Sequence, residues 1–148
     1  MDDIDKKILQ RLQTNSRVTI SDLSAEIALS VPAIRERLKK LETSGVIKQY
    51  TAILDPACFD KHLMALMFLR FNSPKLGDKF TELAKKEKEI KECYHITGDF
   101  DYSLKIVTKD TVTLENLLAR IKDCPGITKT QTIVILSTIT DNPSISPY

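Results

Sequence analysis

Seven consecutive apolar residues, Leu63–Leu69 (LMALMFL), constrain this chain most. The run falls far short of the ~20 residues that a membrane-spanning helix needs. With Arg70 and Phe71 it reads as a strand over 63–71. Successive side chains of a strand point to opposite faces, so both faces of this one are apolar. Ile133–Leu136 repeats the pattern near the other end. Helices packed on a sheet cover one face, and the other face must meet something else. The same sheet of a second copy is the simplest cover, which predicts an isologous homodimer.

The residues around the run give the order of elements. A helix is expected over 75–88 with Phe80, Leu83 and Ala84 inward, then strands over 90–97 and 102–108 separated by Gly98-Asp99-Phe100-Asp101. Leu114, Leu117, Leu118 and Ile121 mark a further helix, Pro125-Gly126 breaks it, and 127–139 reads as a final strand. The order β-α-β-β-α-β is the ferredoxin-like arrangement. The tail 141–148 carries two prolines and no apolar stripe, and is expected to be loosely held.

The first third is helical in pattern. Ile4, Ile8, Leu9 and Leu12 share a face over 3–14, and Asn15-Ser16-Arg17 breaks the periodicity. Thr19 and Asp22 have the spacing of a capping box, and the short helix that follows, with Ile20, Leu23 and Ile27 inward, is expected to stop near Ala28-Leu29. Ser30 suits an N-cap with Pro32 in the first turn, and Val31, Ile34, Leu38 and Leu41 form the next stripe up to Gly45. Residues 46–54 look extended. Two short helices joined by a tight turn, the second basic, followed by an extended wing, describe a winged helix-turn-helix. The fold class is therefore α+β. A DNA-binding domain is expected over 1–55, a linker over 56–62 and a second domain over 63–140.

Net charge is only +2, so any contact with nucleic acid must come from local arrangement. Within 30–42, Arg35, Arg37, Lys39 and Lys40 face only Glu36 and Glu42. Opposite the apolar stripe lie Pro32, Ala33, Glu36, Lys39 and Lys40, with Arg35 and Arg37 on the flanks. The N-terminal part of such a helix reaches base edges in the major groove. Ser30, Ala33, Glu36 and Arg37 are placed there: Ala33 against a thymine methyl, Glu36 accepting from cytosine, Arg37 on guanine. Arg35, Lys39 and Lys40 are assigned to phosphates, which position without reading sequence, and Lys48 to the wing. A charged face is also what any solvated helix presents; the three-helix order and the wing favour double-stranded DNA.

Cys58, Cys93 and Cys124 form no metal-ligand spacing, so they are read as reduced thiols packed as small apolar residues. The charged start MDDIDKKILQ is unlike a signal peptide, which predicts a cytoplasmic protein without a membrane role. With two histidines, no phosphate-binding glycine pattern and no metal cluster, no cofactor and no enzymatic activity are expected.

Several segments in order carry a resemblance: Ile4-Asp5-Lys6-Lys7-Ile8-Leu9, Asn15-Ser16-Arg17, Leu29-Ser30-Val31-Pro32, Arg37-Leu38-Lys39-Lys40-Leu41-Glu42 and Gly45-Val46-Ile47-Lys48-Gln49-Tyr50-Thr51-Ala52, then Glu92 through Tyr102 (ECYHITGDFDY), then Pro125-Gly126-Ile127. Together they resemble the Lrp/AsnC, or feast/famine, family of prokaryotic transcription regulators, over nearly the whole chain. The chain departs from the pattern at Ala28, where the family often has Gly, and at Ser103, where it often has Leu. The resemblance implies a second domain of the regulator-of-amino-acid-metabolism (RAM) type, dimers that commonly assemble to octamers, and an amino acid or related small molecule as effector.

At the turn 98–102, Gly98 suits an anion-binding nest and Asp99 or Asp101 an ammonium group. Gly and Asp are also ordinary turn formers, and from the residues alone that reading is the stronger. The resemblance places the effector at this turn, between subunits, on Gly98, Asp99 and Asp101, followed by His95, Tyr102, Arg120 and Lys122. Two other functions fit a similar architecture: a tetrapyrrole-modifying enzyme, and a sensor whose winged helix binds protein.

Overall fold

Side-chain caps set where the helices of the first third begin. The computed structural model describes residues 1–148, apart from the side chain of Pro74. Helix α1 spans Asp3–Thr14 and starts on Asp2, whose carboxylate accepts from the Asp5 N–H at 2.9 Å while the Asp5 carboxylate accepts from the Asp2 N–H at 3.1 Å. Helix α2, Ile20–Ile27, has the expected Thr19–Asp22 capping box. Helix α3, Val31–Thr43, starts on Ser30, whose hydroxyl accepts from the Ala33 N–H at 3.4 Å. Their stripes meet in one core of Ile8, Leu23, Ile34 and Leu41, with Leu12, Ile27 and Leu38 packed against it.

Ala28 forms the turn between α2 and α3 at φ 57°, in the left-handed region, and its N–H bonds back to the Ser24 carbonyl. A Cβ makes that conformation costly by ~1–2 kcal/mol, a penalty glycine escapes. Ala28 is exposed, so no packing is lost on its replacement. Ala28→Gly is expected to stabilise this unit by about 0.5–1 kcal/mol after the entropy of the freer unfolded chain is deducted. A thermal melt should show a higher Tm; a lower one refutes the strain.

After Gly45 the expected wing, 46–54, forms no strand. A strand needs a hydrogen-bonded neighbour, and none of the sheet pairings includes this segment. Its first residues are instead tied to α3: the Ile47 N–H bonds to the Leu41 carbonyl at 3.1 Å, and the Tyr50 hydroxyl donates to Glu42 at 3.0 Å. The Tyr50 phenol is pushed up to about 12, by burial first and by Glu42 second.

The chain divides into two compact units, 1–53 with 140–148, and 54–139. The tail, expected loosely held, belongs to the first unit. The Gln13 side-chain amide donates to the Ile145 carbonyl at 2.8 Å and accepts from the Ile145 N–H at 2.7 Å, and Lys6 Nζ sits 5.4 Å from the centre of the Tyr148 ring.

The second unit opens with a short 3-10 helix at Pro56–Phe59, inside the expected linker. It continues with β1 (Leu63–Phe71), α4 (Pro74–Lys86), β2 (Ile90–His95), β3 (Tyr102–Thr108), α5 (Thr111–Lys122) and β4 (Ile127–Ile135). The sheet is antiparallel in the order β2-β3-β1-β4, the ferredoxin-like topology. Strand β4 stops at Ile135 rather than at 139 because its last partner on β1 is Met64, at the start of that strand. On β1, Ala65, Met67, Leu69 and Phe71 are buried in a core with Phe80, Leu104, Ile106, Leu117 and Ile121. The alternate residues Met64, Leu66 and Phe68 are half-buried on the other face, where Leu66 lies beside Ile133, itself 45% exposed. Cys58 and Cys93 are exposed and only Cys124 packs against the core, which corrects the reading of all three as packed thiols; Cys93 lies on the edge strand β2.

Capping carboxylates make stability depend on pH. A hydrogen bond from the Asp5 backbone, then Arg37, holds the Asp2 carboxyl below its ordinary 3.8. The Thr19 side chain does the same for Asp22, and the Thr113 backbone for Asp110. Each pKa is lower folded than unfolded, so the unfolded chain binds more protons in that range. The contribution is complete above the ordinary carboxylate range and is lost as pH falls through the depressed folded values. Chemical denaturation at pH 6 and pH 3 should show lower stability at pH 3.

Candidate DNA-contact helix and effector turn

Helix α3 buries Ile34 and Leu41 and presents Pro32, Arg35, Glu36, Lys39 and Lys40 to solvent. Among the described residues, Arg35, Lys39 and Lys40 take part in no ion pair. Lys48 is exposed beyond the helix, and Ala33 is half-buried, with its backbone held by Ser30. Arg37 stands apart. Its Nη1 donates to Asp5 Oδ1 at 2.7 Å and to the Asp2 carboxylate at 2.8 and 2.9 Å. Asp5 is buried, and both carboxylates raise the guanidinium pKa, Asp5 first. The group assigned to guanine by spacing is thus fastened to the start of α1.

The turn after β2 is held by Asp101. Its N–H donates to the Leu69 carbonyl and its carbonyl accepts from the Ile96 N–H, both at 2.8 Å, while its Oδ2 accepts from the Phe71 N–H at 2.7 Å. Gly98 has φ 111° and open space where a side chain would stand, and Asp99 is exposed. A cavity of about 290 Å³ lies beside the turn, lined by Phe71, Gly77, Asp78, His95, Asp101 and Tyr102. The Tyr102 ring packs on those of Phe71, Phe80 and His95, with centroids 5.7, 5.4 and 5.0 Å away.

Of the residues expected around an effector, the structure brings His95, Asp101 and Tyr102 to one cavity. Gly98 and Asp99 are on the turn outside its lining. Arg120 and Lys122 are not in the lining either: Arg120 makes a two-bond pair with Glu87, 2.9 Å each, and reaches Glu89 at 3.5 Å. That pair also holds the Glu87 carboxyl below its ordinary value. Phe71, Gly77 and Asp78 were not indicated by sequence, because the β1–α4 connection brings them to the turn only in the fold. Among the described residues, no group of three or more potential metal ligands is present, and no helix is long and apolar enough to cross a membrane.

With this geometry in hand, the winged helix-turn-helix DNA-binding family matches residues 1–48 and the Lrp/AsnC ligand binding domain matches 64–145. The chain belongs to the Lrp/AsnC family. The HTH-type transcriptional regulator FL11 of Pyrococcus horikoshii is 38% identical over 93% of this chain and 91% of its own length. The leucine-responsive regulatory protein of Escherichia coli is 34% identical over 94% of this chain and 87% of its own. A transcriptional regulator of Neisseria meningitidis, solved as its L-Met complex, superposes with a TM-score of 0.92 at 31% identity, covering 98% of this chain and 96% of that one. This Lrp/AsnC member is a transcriptional regulator with a helix-turn-helix DNA-binding domain.

Proposed function

We propose that this regulator acts in the cytoplasm as a homodimer, assembling further to octamers, that lays α3 in the major groove of double-stranded DNA and answers to an amino acid or related small metabolite at the turn 98–102. The observation that carries the reading is the solvent face of α3, where Arg35, Lys39 and Lys40 have no carboxylate partner among the described residues. Those three, with Lys48, hold phosphates; Pro32 and Glu36 face the base edges; Ser30 and Arg37 position the helix. The sheet face bearing Met64, Leu66, Phe68 and Ile133 supplies the dimer contact, since exposed apolar area of this kind gains by being covered. The L-Met complex of the Neisseria meningitidis regulator supports an amino-acid effector here. The relatives named above are regulators, which supports a binding function without catalysis.

Selection of bound fragments from genomic DNA, with and without a pool of amino acids, tests the reading. Enrichment of a common motif that shifts with the pool is expected. A protein that is monomeric in sedimentation and enriches nothing at low salt rules it out.

A further inference from the structure

We infer that the cavity beside the hairpin turn receives a cationic amine, so that effectors carrying a second positive charge are preferred over those with neutral side chains. The inference rests on the proposal that the turn 98–102 is the effector site, and adds to it the charge class of the ligand and the part played by α4.

The described walls carry two carboxylates, no lysine and no arginine, beside the His95 imidazole: Asp78 comes from α4 and Asp101 from the turn before β3. Among the described residues neither carboxylate oxygen of Asp78 accepts a hydrogen bond from protein, its carbonyl alone accepting from the Thr81 hydroxyl, and the Asp101 carboxylate commits only Oδ2, to the Phe71 N–H. The Tyr102 hydroxyl also has no protein partner in that set, and burial, followed by Asp78, Cys93 and Asp101, raises its pKa. Apart from Gly77 the rest of the lining is aromatic, with Phe71 and Tyr102 edge to face and the His95 ring centre 5.0 Å from that of Tyr102. Free carboxylate oxygens beside aromatic faces favour an ammonium or guanidinium group through charge-assisted hydrogen bonds and cation–π attraction. The same walls repel a carboxylate. A cavity of about 290 Å³ sits at the small end of ligand sites, fitting one amino-acid side chain.

Gly77 sets where the Tyr102 wall of the cavity stands. A Cβ there would stand 2.5 Å from the Tyr102 hydroxyl oxygen and 3.1 Å from its ring, so any larger residue drives the ring from its place against α4.

The test is calorimetry on the full chain with L-lysine, L-methionine and putrescine, a diamine without a carboxylate. L-Lysine is expected to bind at least ~10-fold more tightly than L-methionine, as one further charge-assisted contact implies. Asp78→Asn should remove that preference and Asp78→Glu should keep it. Gly77→Ala leaves every charge in place and should weaken lysine binding with circular dichroism unchanged. If methionine binds as well as lysine, or lysine binds Asp78→Asn as it binds the parent, the inference is overturned while an amino-acid effector stands. Putrescine binding that Asp78→Asn abolishes, with neither amino acid bound, upholds the cationic cavity and removes the amino-acid effector. No binding of any of the three overturns the cationic cavity, and the amino-acid pool then decides the effector reading by itself.

Discussion

Replacing Arg35, Lys39 and Lys40 together with alanine is expected to weaken DNA binding on the order of a hundredfold at moderate salt and to flatten its salt dependence. All three are exposed on α3 and none is spent on a protein carboxylate among the described residues, so each is available to a phosphate. Every phosphate neutralised releases counterions and adds about 0.9 to the slope of log affinity against log salt, so losing three contacts lowers the slope by roughly 2.7 per bound helix. The buried face of α3, Ile34 and Leu41, is untouched, and the Tm should stay close to that of the parent. Glu36→Ala is the contrasting case: as a base-edge group it should change which sequences are preferred by ~1–3 kcal/mol while leaving the salt slope alone. Fluorescence anisotropy titrations between low and physiological salt read both effects. An unchanged slope in the triple variant would remove α3 from the DNA interface.

What the sequence reveals of this protein is what lies in local patterns. The stripe Val31, Ile34, Leu38, Leu41 and the cap at Ser30 each depend on residues within one or two turns, and α3 forms where they place it. The unbroken run at Leu63 announces a strand with two apolar faces because alternation is a property of the strand alone, and the structure shows one face under helices and the other open. Pairing is a different matter. Residues 46–54 have strand-like composition but no neighbour, so no ladder forms. Arg120 looks like a free cation at the end of a helix until folding sets it on Glu87, 33 residues away. The cavity is split in the same way: His95, Asp101 and Tyr102 lie on one legible hairpin, whereas Phe71, Gly77 and Asp78 arrive from an earlier strand and helix.

Arg37 shows the same divide with the largest consequence for stability. Its spacing puts it on the flank of a DNA-facing helix, yet its Nη1 is bound to Asp5 and Asp2, about thirty residues earlier. Asp5→Ala is expected to destabilise the first unit by about 2–3 kcal/mol, less than the 3–5 kcal/mol of a fully buried pair because the Arg37 and Asp2 side chains remain 29% and 53% exposed. Two groups lose partners at once: the Asp2 N–H of the helix cap, and Arg37, which is left with the exposed carboxylate alone. In a unit of this size such a loss lowers Tm by roughly 10–20 °C. Arg37→Ala should cost a similar amount, since it strands the buried Asp5 charge. Asp5→Ala with Arg37→Ala should cost clearly less than the two summed, by about 1 kcal/mol or more, because no unpaired charge is left behind. The cycle also separates a clamp from a base reader. A clamp variant, assayed well below its own Tm, keeps the sequence preference of the parent; a base reader loses that preference and leaves Tm alone. Additive Tm losses, or an Arg37→Ala protein as stable as the parent but with altered preference, would return Arg37 to the groove.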